Sequence, residues 1–382
     1  MPNNCLGLTS PYPREVTTVP RTTRALGALG AILLTTSLAA CGGSDDGGGG
    51  AASSAGGSSA AQDAQLTFVG YGGDGQDAMI KSWQEPYTKA NPGVTFVNTS
   101  PPDIAQVKAQ VEAGAVSWDV LAVAPAAAEQ NCGTLFEPVE YTGAPESDLV
   151  EGAVGKCYVG NWLLSTPMAY RTDAFPDPSK APKTVEDFFD TKKFPGQRGM
   201  VANLQNGVLE YPLLADGVKP DDMYPLDVDR ALDKLDTIRD QTTFAPNVGA
   251  LQQSVGSGQV DMFFLPDSRI VPLLDQGVGI TVVWDVTVAS LNGTAIPKGA
   301  PHAAAAQQFL SSLTSPEDAA AISEQLGVTP VNNTAKPDLS ENAQSVQVYG
   351  DANTGETVLQ DIGWYSKNYN DVLTKLTTWL AG

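Results

Sequence analysis

From residue 66 to residue 123 the chain alternates between two hydrophobic periods, and this alternation limits the fold more than any other feature. Residues 66–70 form a short apolar run suited to a buried strand, and 76–90 place Met79, Ile80, Trp83 and Tyr87 at helical spacing. Asn91-Pro92-Gly93 turns the chain, 94–98 read as a second strand, and 103–113 as a helix with Ile104, Val107 and Val111 on one face. A third strand, 119–123, ends in Ala124-Pro125. A βαβαβ order predicts parallel strands with helices over their faces, an α/β architecture.

The same alternation continues to the C-terminus. Residues 162–170 read as extended, Thr184 and Asp187 open a helix over 184–189, and helices are expected at 208–215 and 228–238. A strand over 260–265 precedes a helix over 268–276, and two further strands fall around 279–284 and 294–297. Helices follow at 303–313, at Ser315-Pro316-Glu317-Asp318 up to Gly327, and at 368–380. No internal repeat is visible. The patterned region, 66–382, is too long for one ordinary core and implies two lobes.

Residues 1–64 carry no such pattern. Arg21 and Arg24 precede a short apolar run at 25–37, which ends in Leu38-Ala39-Ala40-Cys41. That arrangement resembles a lipoprotein signal, in which Cys41 is lipidated and becomes the first residue after cleavage of 1–40; the alternative is a plain signal peptide cut near Ala40. The run is too short to span a bilayer comfortably. Residues 1–20 are long for a basic flank, which suggests translation starting nearer Val16 or Val19. The Gly/Ser/Ala-rich stretch 41–64 reads as a flexible tether with a reach of roughly 25 to 30 Å.

Charge and cysteines narrow the function. Residues 1–40 contain Arg14, Arg21, Arg24 and Glu15, so their removal takes the net charge from −21 to −23. Such acidity argues against nucleic-acid binding. Cys132 and Cys157 remain after Cys5 is discarded and Cys41 lipidated, and an even pair in an exported chain is most simply a disulfide, with two buried free thiols as the alternative. With His302 the one histidine, a Cys/His zinc site is excluded; no metal or cofactor is expected, and no motif of an enzyme stands out.

Several segments together resemble the spermidine/putrescine-binding proteins of ABC importers, within the type II solute-binding superfamily. They include Val111-Glu112-Ala113-Gly114 with Trp118-Asp119-Val120, Tyr170-Arg171-Thr172-Asp173-Ala174-Phe175, Lys192-Lys193-Phe194-Pro195-Gly196, Gly258-Gln259-Val260-Asp261-Met262, and Ala295-Ile296-Pro297-Lys298-Gly299. The resemblance implies a two-lobed type II periplasmic-binding-protein fold with two hinge crossings, near 162–170 and 284–295. Lobe 1 would be 65–165 with about 291–345, and lobe 2 would be 166–290 with about 346–382. It also implies a monomer that captures a small solute between its lobes and presents it to ABC permease subunits, held to the outer face of the cell membrane through the lipid alone. A sensory or scaffolding lipoprotein on the same fold is the alternative.

Candidate ligand contacts follow from loops at strand ends. Tyr71, Gly72, Gly73 and Asp74 follow the first strand, and Ala124 and Pro125 the third. Asn203, Gln205 and Asn206 form an amide cluster that either meets a ligand or caps a helix. The resemblance places an aromatic contact at Phe264 and a hydrogen-bonding one at Thr329. Asp267 is either a ligand carboxylate or a helix cap, Trp284 and Asp285 lie near the second crossing, and Arg269 is either an anion partner or a surface charge. Polyamine recognition requires carboxylates for the ammonium groups and aromatic rings for the methylenes. Aligned back from Gly217, the family's two acidic positions fall on Leu204 and Gly207, and its Trp and Asp fall on Ser290 and Asn292. The scaffold is kept while the diamine constellation is lost, so a neutral, zwitterionic or anionic ligand stands beside a polyamine, unless Asp74, Asp267 or Asp285 compensates.

Overall fold

A computed structural model describes residues 63–382. The signal-like segment, Cys41 and nearly all of the tether lie outside the described residues. Ten strands form one continuous hydrogen-bonded sheet. They are β1 (Ala64–Val69), β2 (Val94–Thr99), β3 (Val120–Val123), β4 (Val159–Arg171), β5 (Arg198–Val201), β6 (Thr242–Ala245), β7 (Met262–Phe264), β8 (Ile280–Ala295), β9 (Thr329–Pro330) and β10 (Glu356–Leu359).

Strands β1, β2 and β3 pair in parallel, as the alternation requires, and β5 pairs in parallel with β6 and β7. Two long antiparallel strands join these groups. Strand β4 runs 13 residues and β8 runs 16. The two strands expected around 279–284 and 294–297 are therefore one, because Val282 to Ala295 is apolar or β-branched at most positions and nothing breaks the ladder.

The β4/β8 ladder has its second irregularity between Thr166 and Met168. Pro167 lies there, and its missing N–H removes a rung. On one side, β4 from Val159 to Thr166 pairs with β8 beside β3; on the other, Met168 to Arg171 pairs with Val283 to Ile280 beside β7. The sheet thus changes company across Thr166–Met168 and Val283–Val288. Strand β10 pairs in parallel with β8 over Val286 to Ala289, within this crossing. Separate apolar cores sit on either side. Leu66, Phe68, Trp83, Phe309 and Ile322 pack on the first half, and Phe188, Tyr211, Leu213, Leu235 and Phe264 on the second.

Cys132 and Cys157 form a disulfide with Cα atoms 5.4 Å apart. The first helix begins at Gly73 rather than at 76, continues through a π-helical turn at Ile80–Gln84, and ends at Ala90. The last helix is Ile362–Ala381, starting six residues earlier than its apolar spacing suggests, because Asp361 accepts from the Trp364 N–H and caps it. Among the described residues no helix is long and apolar enough to cross a membrane.

Candidate ligand-binding cleft

A cleft of about 690 Å3 opens where the two halves of the sheet meet. That volume suits a small organic solute. From the first half come Tyr71, Asp74, Met79, Pro101 and Pro102, with Gln325 and Leu326 at the rim. From the hinge strands come Trp162, Leu164 and Asn292. The second half supplies Asn203, Gln205 and Asn206, then Asn247, Ser268, Arg269 and Asp275.

Local chemistry places these groups. The Asn203 side chain accepts from the Asn206 N–H, and Gly207, at φ 70, ends the short turn between them. The Asn206 side-chain amide in turn donates to the Thr166 hydroxyl at the crossing. Two helix N-termini face the cleft. One, Val248–Gly256, is capped by Asn247; the other, Asp267–Asp275, follows Pro266 and carries no side-chain cap. Helix N-termini favour anions.

Arg269 stands in the first turn of that second helix, half-buried, and its Nε is fully buried with no hydrogen-bond partner among the described residues. Burial lowers its pKa, and the carboxylate of Asp74 across the cleft opposes that shift. Arg269 makes no ion pair among the described residues, whereas Asp74 is exposed on the opposite wall. Tyr71 is 38 % exposed, yet its hydroxyl end lies deep in the cleft, where it accepts from Asn292 Nδ2 at 2.8 Å. Burial pushes the phenol up to about 12 against the pull of that hydrogen bond.

The structure thus brings Tyr71, Asp74, Asn203, Gln205, Asn206 and Asn292 to one cleft and takes the other candidates elsewhere. Gly72 and Gly73 shape the turn with φ of 72° and 52° and do not line the cleft. Ala124, Pro125 and Ser290 line a separate crevice of about 20 Å3 beside Tyr365 and Tyr369. Phe264 is fully buried, its ring stacked on Tyr211 at 3.7 Å, because β7 turns that residue toward the core of the second half. Asp267 is fully buried as well; its carboxylate accepts from the Ser165 and Ser268 N–H groups, joining the helix to β4. Asp285 accepts from the Val185 N–H, and half-buried Trp284 is not part of the lining. Thr329 donates to Gln347 Oε1 and accepts from the Val348 N–H.

Sequence reasoning left Arg269 between surface and cleft, and it passed over Trp162, Asn247, Ser268, Asp275 and Gln325. The Ser268-Arg269 pair just after a proline that opens a helix was the available signal. Trp162 gave none, since an aromatic in an apolar strand reads as core.

The family description "Bacterial extracellular solute-binding protein" matches residues 82–347. The chain belongs to this family. As a solute-binding protein it is 28% identical over 329 residues, 84% of this chain and 92% of the relative, to the gamma-aminobutyric acid-binding protein of Pseudomonas aeruginosa PAO1. Among solved structures, a GABA receptor is 30% identical with a TM-score of 0.75, covering 83% of this chain and 97% of that one. The binding protein AgtB of Agrobacterium tumefaciens R10, solved with agropinic acid, is 31% identical with a TM-score of 0.73, covering 84% and 99%. These agreements extend over the described fold and establish the two-lobed binding-protein architecture. Their names point to GABA and agropinic acid, and the expected family holds at the level of solute binding.

Proposed function

We propose that this solute-binding protein serves an ABC importer by capturing a zwitterionic, amino-acid-like solute, with Arg269 receiving its carboxylate and Asp74 its ammonium group. The observation that carries this reading is the guanidinium of Arg269 in the cleft wall, unpaired among the described residues, at a helix N-terminus and opposite the exposed carboxylate of Asp74. An unpaired half-buried cation favours an anionic partner, and a planar guanidinium suits a carboxylate best. The opposite wall offers Asp74, so the complementary ligand carries both charges. A dication fits less well: Asp267 and Asp285 are engaged with backbone N–H groups, Asp275, the other carboxylate of the lining, accepts from Asn342 Nδ2, and Arg269 repels a second ammonium. GABA, named for two of the relatives, belongs to this class, and agropinic acid shares its acid group.

The lobes are proposed as 65–165 with about 291–345 and 166–290 with about 346–382, closing on the solute by hinge motion about the irregular rung at Pro167. The protein is non-catalytic and monomeric, delivers its solute to permease subunits, and is held by a lipid on Cys41 to the outer face of the membrane. Calorimetry of the domain from Ala61 to Gly382 with GABA, other amino acids, putrescine and spermidine tests the reading. The zwitterions bind, and Arg269→Gln weakens them by about 2 kcal/mol or more, roughly thirtyfold. Binding of the diamines alone, or unchanged affinity in Arg269→Gln, overturns it.

A further inference from the structure

Trp162 and Asn292 are direct cross-strand partners on β4 and β8, the two strands that form the hinge. Both line the cleft, with only 3 % and 6 % of their surfaces exposed. Trp162 Nε1 and Asn292 Oδ1 have no hydrogen-bond partner among the described residues. The contrast with Trp83 is instructive. Trp83 packs on Trp162 with ring centroids 5.7 Å apart, and its own indole N–H donates to the Asp318 carbonyl. Of two indoles in contact, the one on the cleft is unsatisfied. Asn292 is held in its orientation by Nδ2, which donates to the Tyr71 hydroxyl and leaves Oδ1 as the free atom. A buried polar atom without a partner disfavours the folded state, so such atoms are rare in folded proteins and mark places where another group completes the bond.

We propose that Trp162 and Asn292 form a second polar subsite of the cleft, which takes an uncharged hydroxyl group of the solute. The two paired residues thus carry one free donor and one free acceptor. A carboxylate would meet the Asn292 oxygen unfavourably, and an ammonium group would meet the indole N–H unfavourably. A hydroxyl both donates and accepts, and satisfies the two together. The subsite deepens the zwitterion reading, on which it rests: the preferred solute carries a hydroxyl between or beside its charged ends.

Titration calorimetry of the wild-type domain compares GABA with its 2-hydroxy and 3-hydroxy derivatives. One hydroxylated compound binds about tenfold more tightly than GABA, the worth of one to two hydrogen bonds. In Trp162→Phe, which keeps a ring against Trp83 and removes the N–H, that ratio falls to near one. Asn292→Ala removes the acceptor and gives the same collapse should the Phe variant fail to fold. Equal affinities for all three compounds in the wild type, with binding still lost in Arg269→Gln, overturn the subsite and leave the zwitterion reading standing. A preference that persists in both variants overturns it too. Binding of none of the three overturns the zwitterion reading and the subsite with it.

Discussion

At the residue scale, two fully buried carboxyl groups contribute to the pH response. Glu210 Oε1 accepts from the hydroxyls of Tyr224 and Tyr365 and from Gln360 Nε2. Burial raises its pKa above the ordinary 4.5, and those hydrogen bonds oppose the rise without cancelling it. Asp267 is raised by burial in the same way. A carboxyl whose folded pKa lies above its unfolded one contributes its full stability below the unfolded value and loses it as pH rises through the folded value. Glu210→Gln removes this titration. Urea unfolding from pH 4.5 to pH 8 is therefore expected to show wild-type stability falling relative to Glu210→Gln as pH rises; parallel curves would refute the assignment. Glu210 was not singled out in the sequence. Asp267 read as a ligand carboxylate or a helix cap, and the approach of its helix to Ser165 makes it neither, since the carboxylate ties that helix to β4.

At the scale of elements, the turn Leu204–Asn206 connects the cleft to the crossing. Gly207 holds φ 70, and a Cβ there would lie 2.6 Å from the Tyr211 ring. Gly207→Ala is expected to cost about 1 to 3 kcal/mol through left-handed backbone strain and overpacking. Because Gln205 and Asn206 ride on this turn, solute affinity should fall with it; a variant that melts and binds like the wild type would show that the turn adapts. The disulfide acts elsewhere, closing a loop over a sequence separation of 25 residues in the first half of the sheet. Cys132→Ser with Cys157→Ser should lower unfolding free energy by about 3 kcal/mol, read by denaturant titration.

The periodic patterns gave the elements themselves to within a few residues in most cases. They missed the fusion of two expected strands into β8, which depends on pairing with the remote strand β4, and the early start of the last helix, where a local cap at Asp361 outweighs the apolar spacing. Strand β6 and the helix Pro125–Gln130 are too short for a period to register.

At the scale of the whole molecule, two halves are joined by β4, β8 and the β10 pairing at the crossing, where the β4/β8 ladder is interrupted at Pro167. In the proposed binding mode, solute bridging Asp74 on one wall and Arg269 on the other favours closure. Small-angle scattering should show a smaller radius of gyration with saturating solute, and the melting temperature should rise in step, since a ligand at 100 times its dissociation constant adds about 2.7 kcal/mol. Stabilisation without compaction would indicate a cleft that binds while open. In cells, Cys41→Ser is expected to release the protein from the membrane fraction; retention would point to an anchor other than a lipid on that cysteine.

The sequence by itself determined the α/β alternation, the need for two lobes, Cys132 and Cys157 as the candidate pair for a disulfide, and the loops from which a cleft is built, because periodicity, length and cysteine count are local or additive properties. The tertiary structure alone decided which residues of those loops line the cleft. Phe264 and Arg269 lie five positions apart, yet one packs into a core and the other stands in the cleft. That outcome depends on the direction in which β7 hands the chain to the helix Asp267–Asp275, and on the contact of Asp267 with Ser165, 102 residues away, which fixes the direction.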